Sequence, residues 1–502
     1  MPRRTPILLL AAALLLSAAV ATAGEGYRDL ENQVQEFTLD NGIHFMVLER
    51  HDVPVFSFRT YVNVGSVNEV TGITGIAHIL EHMAFKGTPE IGTTDYKKER
   101  KALERVDAAF LALKAERRKG ARADSTRLTE LEAAFEQAKE DARQYVVSNE
   151  FGQIVENNGG NGMNASTSCD ATNYFYNMPA NRLELWAYLE GSRMAHPVLR
   201  EFYTEKDGPV TEERRMRTDN NPIGRLIEQF QNLAFMAHPY HHATIGYMSD
   251  LQNITRQDCR DFYDRWYVGN NMSIAVVGDV KFAQVKKLAE KYFRDIPGPV
   301  ALDPIETVEP PQQGEKRIVI EDDSQPVYVC GYHKPGALDP DAAAYAALAD
   351  ILGQGRTSRL YKTLVKEKKL CAFAGSFSGY PGTKYPNLLM IFAMPNKDVP
   401  VADVEEAIFA EVDRIKDEGV TEEELAGVKR RAKASFIRSL EGNQGLAGQL
   451  CYYQAIYGDW REMFRQLDKI DAVTTDDVQR VARKILNKKN RTVAYIEHKS
   501  ES

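Results

Sequence analysis

The chain has 502 residues, 43% of them apolar and 27% charged, with a formal net charge of −8. This is ordinary globular composition with length for about two to four domains, and its acidic balance argues against a nucleic-acid-binding protein. Five cysteines, at 169, 259, 330, 371 and 451, are too few and too scattered for a disulfide framework, and no pair has the spacing of a cysteine zinc site.

Arg3 and Arg4 precede an apolar run from Ile7 to about Val20, and Ala21-Thr22-Ala23 has the pattern of a cleavage site. Residues 1–23 therefore read as a signal peptide, which predicts export and, in a bacterium, a periplasmic location. An uncleaved membrane anchor is the alternative. No other segment is long and apolar enough to span a bilayer.

Val34 to Ser66 reads as three strands, the first two joined by the hairpin signal Asp40-Asn41-Gly42. In the stretch from Gly75 to Thr88, Ile76, Ile79, Leu80 and Met83 recur at helical spacing. His78 and His82 thus lie four apart on one helical face, where two imidazoles can grip one metal ion. Glu81 flanks that position, which suits a general base acting on a metal-activated water. The order is H-x-x-E-H, the inverse of the commoner H-E-x-x-H zinc motif.

From this motif onward the chain resembles the pitrilysin/insulinase family of zinc metallopeptidases, the inverzincins. Asp95 to about Val147 departs from the family pattern: two Lys-, Arg-, Glu- and Ala-rich helical stretches are split at Gly120 to Asp124, an insertion of about fifty residues. It reads as a largely solvated helical hairpin, with a docking arm or a lid as alternatives. Gly159 to Ser168, followed by Asp170 to Tyr176, is the second match. The resemblance implies a sheet edge near the metal, where Asn164, Ala165, Ser166, Thr167 and Ser168 hold the substrate peptide as an added strand. Backbone pairing of that kind gives affinity with little sequence preference.

The third match is Glu205 to Arg215. Zinc held by two histidines needs a third protein ligand and an open position. The family supplies a glutamate on a second helix, with another seven residues earlier. That places Glu212 as the ligand and Glu205 as a partner orienting a ligating histidine, with Glu213 as the alternative ligand. Gly208-Pro209 interrupts the expected helix, so a helix starting near Pro209 is predicted. His238-Pro239-Tyr240 through Val280 follows the family spacing and carries fold; His238, His241 and His242 are read as structural.

Pro297 to Gly314 holds five prolines and reads as a linker. The following half repeats the order of elements. Laid over the metal helix, it has Ala347, Asp350 and Ile351 near the positions of His78, Glu81 and His82, and so cannot bind metal. The expected architecture is α+β: two homologous halves, each an antiparallel sheet covered by helices, facing each other in a clam-like arrangement. The expected parts are a signal peptide (1–23), a metal-binding half (24–296), a linker (297–315) and a metal-less half (316–502). Family members that are catalytically complete carry an Arg and a Tyr in the metal-less half, where this chain has Val365 and Ala372.

The resemblance covers roughly residues 33–498 apart from the insertion. It implies a secreted endopeptidase with one Zn2+ per chain held by His78, His82 and Glu212, and Glu81 as general base. It points to the two-subunit branch typified by mitochondrial processing peptidase, in which a related, metal-less subunit completes the site by supplying the Arg and Tyr. A homodimer, or a monomer with another group in their place, is the alternative. The competing class is a non-hydrolysing, zinc-containing peptide-binding chaperone or assembly subunit. Glu81 argues against it, because a structural zinc has four protein ligands and no use for a carboxylate beside them.

Overall fold

The computed structural model describes residues 29–498, so the segment read as a signal peptide lies outside it. Strands β1 (Gln35–Thr38), β2 (His44–Glu49), β3 (Val55–Val62), β4 (Asn161–Thr167), β5 (Thr172–Pro179) and β6 (Met272–Gly278) form one sheet in the order β1-β2-β6-β3-β5-β4. Strands β7 (Lys316–Glu321), β8 (Tyr328–Lys334), β9 (Cys371–Tyr380), β10 (Asn387–Pro395) and β11 (Arg491–Glu497) form the second, in the order β7-β11-β8-β10-β9. Without β1 the two orders are the same, and each contains one parallel pair, β2 with β6 and β7 with β11, in an otherwise antiparallel sheet. The fold is thus a mixed α+β architecture of two homologous halves. The parallel pairs arise because the last strand of each half returns beside its opening hairpin or strand.

The hairpin signal folds as read: β1 and β2 pair antiparallel with Thr38 opposite His44. The inner face of the first sheet alternates buried side chains, among them Phe45, Phe56, Phe58 and Tyr176, against helix α1 (Ile76–Met83) and its neighbours. Each such phenylalanine withdrawn from water contributes about 1.5–3 kcal/mol.

The segment read as an insertion forms a helical hairpin, α2 (Tyr96–Arg117) and α3 (Ser125–Arg143), but one of its faces is not solvated. Leu103, Val106, Phe110 and Leu113 from α2 and Phe135 from α3 are buried in the main core. Their i, i+3, i+7 spacing gives a narrow apolar stripe on a helix that is otherwise charged.

The halves are held together by exchanged helices. Helix α4 (Pro222–Ala234) belongs to the first half in sequence, yet its Leu226, Phe230 and Ala234 pack with Val329, Ala494 and Ile496 of the second sheet. Helix α5 (Asn443–Tyr457) does the reverse, packing Leu446, Leu450 and Cys451 against Met46, Tyr61 and Val277 of the first. Asp170 adds a polar link: its carboxylate accepts from the N–H of Thr383 at 2.7 Å and of Lys384 at 3.1 Å, and from the Tyr240 hydroxyl. No helix among the described residues is long and apolar enough to cross a membrane.

Candidate metal centre

Helix α1 starts at Gly75, whose φ of +91° and contact with the Ile245 carbonyl (2.7 Å from an added Cβ) leave no room for a side chain. Its first turn is fixed by the buried Glu69, which accepts from the N–H groups of Gly75 (2.8 Å) and Ala77 (2.9 Å). An anion at a helix N-terminus satisfies donors the helix cannot. Glu69 also pairs with His242 at 3.0 Å, which gives that histidine a structural role. His238 is turned to the Tyr240 N–H, and His241 to the His238 carbonyl.

The apolar side chains of α1 are buried in the core, and His78 and His82 stand together on the remaining face with ring centroids 4.8 Å apart. Among the described residues, the groups close enough to share one metal ion are His78, His82 and Glu213, with donor atoms all within 4.8 Å of one another. Glu213 Oε2 is 3.6 Å from His78 Nε2 and 3.5 Å from His82 Nε2. Donors of a tetrahedral Zn2+, each about 2.0–2.1 Å from the ion, stand about 3.4 Å apart, so these residues fit zinc in both type and spacing.

The third donor corrects the sequence reading. Glu212 is turned away, its side chain 61% exposed and paired with Arg215. Helical turns run without a break from 202 to 219, rather than starting near Pro209, and residues Lys206–Val210 are π-helical. The i to i+5 bonding of a π turn holds one extra residue. A proline without an N–H sits in it comfortably, and the Thr211 hydroxyl donates to the Asp207 carbonyl at 2.6 Å. In a pure α-helix the face recurs after about seven residues. With the extra residue it recurs after eight, the spacing from Glu205 to Glu213.

Glu205 Oε1 lies 3.0 Å from His82 Nδ1. Its other oxygen meets Lys86 Nζ at 2.6 Å. Burial raises the Glu205 carboxyl, but the hydrogen bonds from His82 and Lys86 outweigh it and hold the group at about 2. Burial, helped by the charges of His82 and Arg217, pushes His78 down to about 3, so it stands neutral with a lone pair to offer. Burial raises Glu81, partly opposed by the Thr167 hydroxyl, which donates to Glu81 Oε2 at 2.6 Å. Arg217, 72% exposed, pairs with the other oxygen of Glu213 at 2.9 Å.

Strand β4 is the edge of the first sheet, paired with β5 alone, and a register shift between Asn161 and Asn164 precedes the segment from Asn164 to Thr167. Ser168 follows it and accepts the N–H of Ala171 on its hydroxyl. In the second half, Ala347 and Ile351 are buried in the core and Asp350 pairs with Arg431. Val365 packs on that core, and Ala372 is exposed at the start of β9. Sequence reasoning missed Glu69, Lys86 and Arg217. Only Lys86, four residues after His82 and just past the end of α1, had a spacing that could have flagged it.

Residues 46–112 match the family model for insulinase (peptidase family M16), and residues 253–432 match that for the peptidase M16 inactive domain. The chain is 29% identical over 479 residues to zinc protease PqqE of Helicobacter pylori, spanning 93% of this chain and 94% of that one. It is 23% identical over 461 residues to mitochondrial-processing peptidase subunit beta of Lentinula edodes, spanning 89% and 86%. The crystal structure of a protease from Helicobacter pylori superposes with a TM-score of 0.77 at 28% identity, covering 92% of this chain and 99% of that one. The first half of the periplasmic protease PqqL from Escherichia coli has the same fold, with a TM-score of 0.67 at 18% identity and 92% of each chain covered.

Proposed function

We propose that this chain, which belongs to the insulinase (M16) peptidase family, is an exported zinc endopeptidase that cleaves extended peptides or unfolded segments. The observation that carries the reading is the convergence of His78, His82 and Glu213 beside Glu81, next to the open edge of β4. His78 and His82, through Nε2, and Glu213 would hold the ion. When bound, Zn2+ supplies Lewis acidity that lowers the pKa of a water to about 7 and polarises a carbonyl.

Glu81 is the proton carrier. With Oε2 occupied by Thr167, Oε1 is the oxygen left to accept a proton from water and to return it to the leaving amine nitrogen. Burial makes this carboxylate more basic than an exposed one, which favours the transfer. The outer edge of Asn164 to Thr167, where the Asn164 side chain holds the Ala165 N–H at 2.8 Å and must give it up, pairs with the peptide main chain and lays the scissile bond across α1. Glu205, held by Lys86, keeps Nδ1 of His82 engaged, which leaves Nε2 as the nitrogen that would hold the ion.

Val365 and Ala372 offer no cation or phenol from the second half, and the likeness to a processing-peptidase beta subunit supports a two-subunit enzyme whose metal-less partner brings an Arg and a Tyr. The N-terminal apolar run supports export to the periplasm. The test is hydrolysis of a quenched-fluorescent peptide library by the purified mature chain, with zinc measured on the same sample. One zinc per chain with turnover that Glu81→Gln abolishes supports the peptidase and overturns the need for a partner, whereas one zinc with almost no turnover points to the missing Arg and Tyr. Turnover unaffected by Glu81→Gln, or no zinc, overturns the peptidase reading.

A further inference from the structure

The α2–α3 hairpin reaches the metal centre through a buried ion pair. Glu99, in the first turn of α2, is 0% exposed and Arg200 is 1% exposed. Arg200 Nε donates to Glu99 Oε1 at 2.8 Å and Nη2 to Oε2 at 3.3 Å. The remaining guanidinium hydrogens all go to one loop, the one leaving α1: to the carbonyls of Ile91 (2.9 Å), Thr88 (2.8 Å) and Lys86. That loop is shaped to admit the guanidinium. An added Cβ at Gly87 or Gly92, both at positive φ, would lie 2.7 or 2.6 Å from Arg200 Nη1.

The loop in turn fixes Lys86. Its ammonium lies 2.6 Å from Glu205 Oε2 and 3.4 Å from Glu201 Oε2. Glu201 follows Arg200 directly and has a φ of +54°. A non-glycine residue in that region is uncommon and is held there only by its surroundings. The insertion also grips the start of the ligand-bearing run: Phe110 of α2 and Phe135 of α3 lie 4.4 and 5.3 Å from the ring of Tyr203. A buried ion pair is weak evidence of stability in itself. Here every partner of Arg200 lies in the insertion or in the loop that carries Lys86.

We propose that the insertion is a structural arm of the metal centre, and that Glu99, Arg200 and Lys86 are positioning residues acting in series on the Glu205 carboxylate that orients His82. The inference rests on the zinc reading above. It makes the hairpin neither a free docking arm nor a lid.

The test is Zn2+ affinity, by chelator competition on the full mature chain, with the melting temperature of the zinc-free protein measured alongside. Lys86→Met and Glu99→Gln each weaken zinc roughly tenfold, in the range seen when a ligand's supporting partner is lost. Lys86→Arg restores most of that loss, and Lys86→Met lowers the zinc-free melting temperature only modestly, by the lost ion pair. Lys86→Met combined with Glu205→Gln binds no more weakly than Glu205→Gln alone, because both act through one carboxylate. Wild-type affinity in Lys86→Met or in a folded Glu99→Gln, or additive losses in the double variant, would each overturn the inference alone. A wild-type chain with no zinc affinity overturns the metal reading and this inference with it. If Glu99→Gln does not fold, the Lys86 series decides the question.

Discussion

Glu213 stands 3.5 Å from Nε2 of His82, one residue beyond the glutamate that an unbroken α-helix would bring there. The neighbouring carboxylate of Glu212 is spent on Arg215 at the surface. Glu213→Gln should therefore strip the zinc from the purified protein, while Glu212→Gln retains it with activity within about twofold, since an exposed i, i+3 pair contributes only about 0–1 kcal/mol. Zinc per chain by atomic absorption, measured on both variants, separates the two.

Glu81→Gln removes the proton carrier without removing a donor to the metal. Zinc content stays at the wild-type value, and kcat falls by ~10²–10⁴, the usual contribution of a positioned general base. Thr167→Val leaves Glu81 ionisable but frees its Oε2, so it should give a much smaller loss of kcat with zinc unchanged.

Asp170 serves both halves. Asp170→Ala leaves the N–H groups of Thr383 and Lys384 and the hydroxyl of Tyr240 without their acceptor. The expected destabilisation is on the order of 3 kcal/mol, from unpaired buried donors. Leu450→Ala, in the helix lent to the first sheet, should cost ~2–5 kcal/mol through its cavity. Urea unfolding curves of the two variants check both figures.

Acid should loosen the second half through Glu424. Burial raises its carboxyl, but hydrogen bonds from Arg359 and the Thr421 N–H hold it at about 2 against an ordinary 4.5. The folded chain therefore keeps Glu424 ionised where the unfolded chain protonates it. Its stabilisation is complete above about pH 4.5 and is lost as pH falls toward 2. The stability gap between wild type and Glu424→Gln should narrow across that window in denaturation curves taken at successive pH values.

What the sequence reveals here is local. His78, Glu81 and His82 are legible because four-residue spacing and an apolar stripe determine a helical face by themselves. The opening strands are legible from alternation and the Asp40-Asn41-Gly42 turn, whereas the order that sets β6 between β2 and β3 is made by tertiary pairing. Glu213 could not be singled out, because the π turn that advances it is a choice of backbone bonding made around Pro209, and the adjacent Glu212-Glu213 pair looks equivalent in one dimension. The insertion looked solvated because charge dominates its composition, while its buried contacts come from one thin stripe. The crossing of α4 and α5 between sheets is set by tertiary packing, and nothing in either helix marks which sheet it will cover.

The most direct test of the account is zinc-edge anomalous diffraction from crystals of the zinc-loaded chain. The account predicts one anomalous peak, bounded by Nε2 of His78, Nε2 of His82 and the carboxylate of Glu213, with Glu81 beside it and not bonded to it. A peak ligated by Glu212 in place of Glu213, or no peak between the two histidines, would contradict it.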